Sequence, residues 1–165
     1  MKTNILKNVY FLFLVLSITQ LYGCSKNNRP YKGVNETVKK ADNMKIKIIV
    51  GDHTLTATLD DNPTTRDFIA LLPFTVKLQD YASTEKVFAP AKKLSIQGAP
   101  AGVKPTVGDI SYYAPWGNIA IFYKDFSYSE GLVKIGHIDN IDNGEEAFQI
   151  SGSIDNVRFE RIEEQ

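Results

Sequence analysis

The chain has 165 residues, of which 43% are hydrophobic and 11% aromatic, a composition typical of a folded globular protein and too apolar for a disordered one. Its 19 basic and 19 acidic residues cancel. We therefore expect no nucleic-acid partner, because phosphate binding needs clustered lysine and arginine. The single cysteine excludes an internal disulfide.

The N-terminus has the pattern of an export signal. Lys2 and Lys7 precede the apolar run Val9–Leu16. This run is too short to span a bilayer, since a spanning helix needs about 20 apolar residues. We predict that residues 1–23 are a signal peptide.

The cysteine follows this signal directly. The segment Leu21–Cys24 resembles the lipobox of bacterial lipoproteins, in which a small residue precedes the cysteine whose sulfur accepts a diacylglyceryl group. Lipidation would bind the chain to a membrane and would leave Cys24 unable to act as a catalytic thiol. Ser25 supplies no charged retention signal, so we expect an outer-membrane location in the bacterial cell envelope. A plain secretory signal followed by an unrelated cysteine is the alternative.

The residues after the cysteine predict a tether. Residues 25–43 are polar and show neither a strand period nor a helix period. We therefore assign residues 24–43 to a lipidated cysteine with a flexible tether, and residues 44–165 to one domain of about 120 residues, an ordinary size for a single core.

The domain begins with the pattern of a β-hairpin. Apolar and polar residues alternate in Met44–Ile48 and again in Thr54–Leu59, and Gly51 and Asp52 lie between the two segments. Alternation on both sides of a turn is typical of two antiparallel strands.

A short helix is predicted next. Asn62 and Pro63 are favoured at the N-cap and first helical position, and the apolar residues from Phe68 onward recur with helical spacing. Pro73 cannot lie inside a helix, so we expect the helix to end at about Leu72.

Short strands separated by glycine and proline follow. This pattern favours a β-barrel or a β-sandwich. The predicted strands are Phe74–Leu78, Glu85–Phe88, Asp109–Tyr113, Asn118–Lys124, Leu132–Ile138 and Val157–Ile162.

Three segments carry a family resemblance: Leu72–Leu78, Gly108–Tyr123 and Leu132–Gly136. In these segments the chain resembles the bacterial cyclophilin-like fold family, over about residues 44–162. The resemblance implies a mainly β domain, a closed cyclophilin-like barrel of about eight strands with one short helix. It does not imply the prolyl isomerase activity of true cyclophilins.

Prolyl isomerisation on this fold requires an arginine on a barrel strand. This arginine weakens the resonance of the prolyl amide and so lowers a rotation barrier of about 20 kcal/mol. A lysine lacks the planar two-donor group that this role needs. No arginine lies between Phe74 and Ile138, and the arginines of the chain are Arg29, Arg66, Arg158 and Arg161. We therefore predict no catalytic residue for prolyl isomerisation.

An aromatic segment supplies the candidate ligand pocket. The candidate residues are Tyr112, Tyr113, Trp116, Asn118 and Phe122, around a predicted turn at residues 114–117. Aromatic side chains with polar atoms often line ligand sites at the mouths of small barrels. Alternation places Tyr113 and Phe122 towards the core and makes Trp116 the leading pocket residue. The alternative is that these rings fill the end of the barrel.

Other polar residues predict structural roles. A Gly108-Asp109 pair at the start of a strand is typical of a turn or bulge, although Asp109 is a candidate functional carboxylate. His137 and Asp139 share a strand face, but two ligands are too few for zinc. Residues 139–150 place a glycine as a calcium loop does, yet isoleucines occupy oxygen-ligand positions. We expect neither a metal nor a cofactor.

These observations lead to one hypothesis and two alternatives. The leading interpretation is a lipid-anchored, cyclophilin-like module that binds a small ligand or an extended peptide without covalent chemistry. The alternatives are a prolyl isomerase or other enzyme on the same barrel, and a structural component of the envelope.

Overall fold

The computed structural model describes residues 44–139, 148 and 152–162. Helix α1 spans Pro63–Ile69. The strands are β1 (Lys45–Val50), β2 (His53–Leu59), β3 (Phe74–Tyr81), β4 (Glu85–Phe88), β5 (Gly102–Val103), β6 (Asp109–Tyr113), β7 (Asn118–Phe122), β8 (Ser129–Glu130), β9 (Leu132–Ile138) and β10 (Ile154–Arg161).

Eight strands form a closed antiparallel barrel in the order β1-β10-β3-β4-β7-β6-β9-β2. The closed eight-stranded barrel that the resemblance implied is confirmed. β5 and β8 form a separate two-stranded ribbon, in which Gly102 pairs with Glu130. A Cβ at Gly102 would lie 2.2 Å from the Ser129 carbonyl oxygen, so the close contact within this ribbon requires glycine.

Alternation along the strands builds the core. In β1, Ile46 and Ile48 point into the barrel, where each is at most 1% exposed, while Lys45 and Lys47 face outward. The same rule places Ile119 and Ile121 of β7 inside the barrel. The predicted β1–β2 hairpin is present, with Ile46 opposite Ala57.

Helix α1 has the predicted N-terminal cap. The Asn62 side chain accepts a hydrogen bond from the Thr65 backbone N–H at 2.9 Å, and Pro63 occupies the first turn. The helix ends at Ile69, three residues before the expected end, because Leu71 and Leu72 continue only as a turn with bonds to Phe68 and Ile69. Phe68 is fully buried, and its ring packs edge-on against Phe74 and Phe159.

Strand β10 starts at Ile154, earlier than the predicted Val157. The pairing with β3 shifts register between Ile154 and Val157, and Asn156 has a φ of +58°. This bulge interrupts the period of 2 from which the start of the strand was predicted.

Several predictions lie outside the described residues. These are the signal peptide at residues 1–23, the lipidated Cys24, the tether up to residue 43, and most of the glycine-containing segment after Asp139. Within the part of the chain that the structure describes, no helix has the length and hydropathy needed to cross a membrane.

Candidate functional site

Three exposed or partly exposed aromatic rings meet on the outside of the barrel. Trp116 lies on the turn between β6 and β7 and is 63% exposed. Its ring centroid lies 5.5 Å from the ring of Tyr81 and 5.5 Å from the ring of Tyr113, at interplanar angles of 86° and 77°. The alternative that Trp116 fills the barrel end is wrong, because its side chain is largely open to solvent.

The turn holds Trp116 in place. The Gly117 backbone N–H donates to the Tyr113 carbonyl oxygen at 2.8 Å, and Gly117 has a φ of +72°. Glycine tolerates this left-handed conformation, so the chain can reverse directly after the tryptophan. The predicted turn at residues 114–117 is confirmed.

These rings surround a pocket of about 220 Å³ with a buried apolar floor. The floor is formed by Phe122 and Leu132, each 2% exposed, which belong to a small cluster distinct from the barrel core. Phe126, 46% exposed, and Ser129 complete the wall on the side of the β5–β8 ribbon. The pocket therefore lies on the outer face of the barrel wall, whereas we expected it at the barrel mouth.

Glu85 is the carboxylate of this pocket. It lies on the outer face of β4, pairs across the sheet with Tyr81 and Phe122, and is partly buried. Burial raises its pKa to about 7. Among the described residues, none forms a hydrogen bond or an ion pair with the Glu85 side chain. The carboxylate is thus partly desolvated without a compensating partner.

Three of the five predicted pocket residues line this pocket: Tyr113, Trp116 and Phe122. Asn118 lines a neighbouring groove that also contains Trp116 and Tyr81, and its Oδ1 is buried without a hydrogen-bond partner. The expected division between core and pocket is corrected for the tyrosines and for Phe122, which belongs to the pocket floor and not to the barrel core. Tyr113 is partly exposed on the outer face, whereas Tyr112 is 2% exposed in the main core.

Tyr112 has a structural contact instead. Its hydroxyl accepts a hydrogen bond from the Leu94 backbone N–H at 3.3 Å.

The sequence reasoning did not identify Tyr81, Glu85 or Phe126 as pocket residues. Alternation alone places Glu85 on the same face as Val87 and opposite the inward Phe88, but only the register of β3, β4 and β7 brings it beneath the aromatic rings.

A second polar cluster lies around Asp109, which is 3% exposed. Its Oδ1 lies 2.6 Å from Lys134 Nζ and 2.9 Å from His137 Nδ1, and the Thr106 backbone N–H donates to Oδ2 at 3.0 Å. Burial alone would raise the pKa of Asp109, but the hydrogen bonds from Lys134, Thr106 and His137 outweigh it and hold the pKa below its usual value.

The Gly108-Asp109 pair forms a turn, as predicted. Gly108 has a φ of +89°, and a Cβ there would lie 2.8 Å from His137 Cε1. Asp139 does not join His137 in a site, because its carboxylate accepts a hydrogen bond from the Thr58 hydroxyl at 2.7 Å. Among the described residues, no group of three or more histidine, cysteine and acidic side chains is placed to hold a metal ion.

On the inner side of β4, Lys86 is fully buried, and its ammonium group contacts three other groups. Its Nζ lies 2.7 Å from Asp80 Oδ2, donates to the Gly152 carbonyl oxygen at 2.9 Å, and lies 5.4 Å from the centre of the Tyr123 ring. The hydrogen bonds from Lys86 and from the Tyr123 hydroxyl lower the pKa of Asp80, although burial opposes them.

The described arginines lie outside the aromatic pocket. Arg66 of α1 pairs with Asp61, and Arg158 of β10 donates to Glu160 at 2.9 Å. Arg161 donates to the Ile69 carbonyl oxygen at 2.9 Å. The described lining of the aromatic pocket contains no arginine.

Comparison with known proteins agrees with this architecture. The model of a cyclophilin-like family matches residues 48–160. The chain belongs to the cyclophilin-like family. The structure is also similar to the solution structure of a hypothetical protein from Archaeoglobus fulgidus, with a TM-score of 0.52 and 18% identity over 75% of this chain and 98% of that chain. At that identity the likeness shows the fold alone. A search of curated proteins finds no match.

Proposed function

We propose that this cyclophilin-like domain binds a small ligand in the outer-face pocket and carries out no covalent chemistry there. The observation that supports this proposal is the group of aromatic rings, with Trp116 63% and Phe126 46% exposed, above a floor that is almost fully buried. Large exposed aromatic groups beside a concave apolar surface are typical of binding sites.

The barrel favours a small ligand over an extended peptide. A peptide that binds by adding a strand needs an unpaired sheet edge, but every barrel strand pairs with a neighbour on both sides. The pocket volume of about 220 Å³ lies below the range of roughly 300–1,000 Å³ that is typical of drug-sized ligands.

The hydroxyl groups of the pocket favour binding over covalent catalysis. The Thr84 hydroxyl donates to the Ala82 carbonyl oxygen at 3.1 Å. No hydrogen bond joins Thr84 or Ser129 to a histidine within the described residues, so neither has the activating base of a nucleophile.

A thermal-shift screen of small molecules on the full chain tests the proposal, because a ligand that binds the native state raises its melting temperature. Trp116→Ala should weaken a hit by about 2 kcal/mol, or about 30-fold in Kd. Tyr128→Ala is the matched control, because Tyr128 is 58% exposed but does not line the pocket. Hits that bind both variants equally would contradict the proposal.

We also propose that Cys24 carries a lipid that holds the domain on the outer membrane. The support is the Leu21–Cys24 sequence, which follows the apolar run Val9–Leu16 after residues 17–20. Cys24→Ala should move the protein from the membrane fraction to the soluble fraction after cell lysis, and should abolish incorporation of a labelled fatty acid. Ser25→Ala, the neighbouring control, should leave both readouts unchanged. Persistent membrane association of unlabelled Cys24→Ala would refute lipid anchoring.

A further inference from the structure

The arrangement of the rings restricts the kind of ligand. Trp116 is nearly perpendicular to both Tyr81 and Tyr113, with centroids 5.5 Å apart in each pair. Perpendicular rings around one corner can present both a face and an edge to a bound group. The electron-rich faces of Trp and Tyr attract cations within about 6 Å of the ring centroid.

The carboxylate of Glu85 also favours a cationic ligand. Glu85 is the charged side chain among the described residues that line the pocket, and no described residue pairs with it. The neighbouring cation on β4, Lys86, faces the barrel interior and binds Asp80 there. A cation in the pocket would give the Glu85 carboxylate the opposite charge that the protein does not provide.

We infer that the outer-face pocket binds a small organic cation of the alkylammonium class, with its methyl or methylene groups against Trp116, Tyr81 and Tyr113 and its charge beside Glu85. This inference rests on the proposed ligand-binding function and specifies its ligand. Phe122 and Leu132 supply an apolar floor that suits the alkyl groups of such a cation better than a fully hydrated metal ion.

Ionisation of Glu85 makes binding depend on pH. The pKa of Glu85 is about 7 because of burial, so its carboxylate is largely ionised only above that pH. A cation binds the ionised form, and the affinity should therefore rise about tenfold between pH 6 and pH 8.

Other titratable side chains lie around Glu85. Tyr81 faces it from β3 and Tyr113 from β6, and Tyr123 and Lys124 follow the last residue of β7. Burial and the carboxylates of Asp80 and Glu85 raise the pKa of Tyr123 to about 12, far above this range.

The test compares choline with 3,3-dimethyl-1-butanol, its uncharged carbon analogue, on the full chain in a non-ionic detergent. Detergents with quaternary ammonium groups are avoided, because they would compete for the pocket. Binding is followed by the fluorescence of Trp116, the sole tryptophan. We expect choline to bind at least about tenfold more tightly than the uncharged analogue.

Two variants assign the effect to the pocket. Glu85→Gln should weaken choline about tenfold and remove the pH dependence, while leaving the uncharged analogue unaffected. Tyr81→Leu retains apolar area without a π face and should weaken choline more than the analogue. Thermal melts of both variants show that they remain folded. A third ligand, glycerophosphocholine, separates the possible sources of the group: tighter binding than choline would identify a lipid head group, and weaker binding a free cation.

Three results would overturn the inference. If the uncharged analogue binds as tightly as choline, or if choline binds Glu85→Gln unchanged, the pocket does not select cations, although it remains a ligand pocket. If choline does not perturb Trp116 while the screen yields hits that Trp116→Ala weakens, the cation class is wrong and the proposed function stands. Failure of the proposed function itself appears only as hits indifferent to Trp116→Ala.

Discussion

Glu85 and Lys86 are consecutive residues of β4 that face opposite sides of the barrel wall, and their surroundings differ. Lys86 is fully buried, but Asp80, the Gly152 carbonyl and the Tyr123 ring surround its ammonium group. Glu85 is only partly buried, yet no described residue compensates its charge and its pKa rises to about 7. Burial with partners supports the fold, whereas burial without partners reduces stability unless a ligand supplies the missing interaction.

The largest expected effect lies on the inner side. Asp80→Ala removes the carboxylate nearest the buried Lys86 ammonium and should lower the free energy of unfolding by about 3 kcal/mol. Chemical denaturation at neutral pH measures this loss. The double variant Asp80→Ala with Lys86→Met removes both charges and should recover part of it. Equal losses for the single and double variants would mean that the ion pair is not the cause.

A smaller loss is expected for the other partnered carboxylate. Asp109→Asn weakens the interactions with Lys134 and His137 and should reduce stability by about 2 kcal/mol at neutral pH. The folded-state pKa of Asp109 is lowered, so its contribution is present above the unfolded value of about 4 and is lost as the pH falls through the folded pKa. In urea melts, the wild type and Asp109→Asn should differ in stability at neutral pH but not at strongly acidic pH.

Replacing Glu85 should change the stability in the opposite direction to Asp109→Asn. Its folded-state pKa is raised, so its contribution is fully present below the unfolded value of about 4.5 and is lost as the pH rises through about 7. Glu85→Gln should therefore raise the stability by about 1 kcal/mol at pH 8 and change it little at pH 4. Melting temperatures of both proteins across this range provide the measurement. A stability loss at pH 8 would show that the carboxylate already has a partner.

The smallest effect is expected on the outer wall of the pocket. Trp116→Ala should change the free energy of unfolding by less than about 1 kcal/mol, because the side chain is 63% exposed. A fully buried tryptophan would cost roughly 3–5 kcal/mol. Denaturant melts distinguish these values. Wild-type emission should be quenched readily by iodide, and a shielded, blue-shifted emission would contradict an exposed ring.

Most of the fold could be predicted because its strands follow simple local rules. Alternation defined β1, β2, β6 and β9 closely, and Asn62 and Pro63 correctly marked the start of α1. The ribbon of β5 and β8 was missed, since two strands of two residues each are too short to show a period. The start of β10 was missed because the bulge near Asn156 breaks the alternation.

The site could be predicted only in part. Local pattern identified Trp116 and the turn that presents it, because Gly117 and Pro115 mark a chain reversal. It could not identify Tyr81 or Glu85, which reach Trp116 only through strand pairings between distant segments. It also assigned Tyr113 and Phe122 to the core, although the barrel core contains Tyr112, since alternation gives two faces but does not say which face is inside.

The position of β10 has a consequence for how the chain folds. β10 lies between β1 and β3, and its pairing of Arg161 with Ile46 joins residues more than 100 positions apart. It is the last described strand to be synthesised, so until it arrives β1 and β3 each expose an unpaired edge. Barrel closure must therefore follow synthesis of residue 161, and until this slow long-range pairing forms, the exposed edges of β1 and β3 favour aggregation.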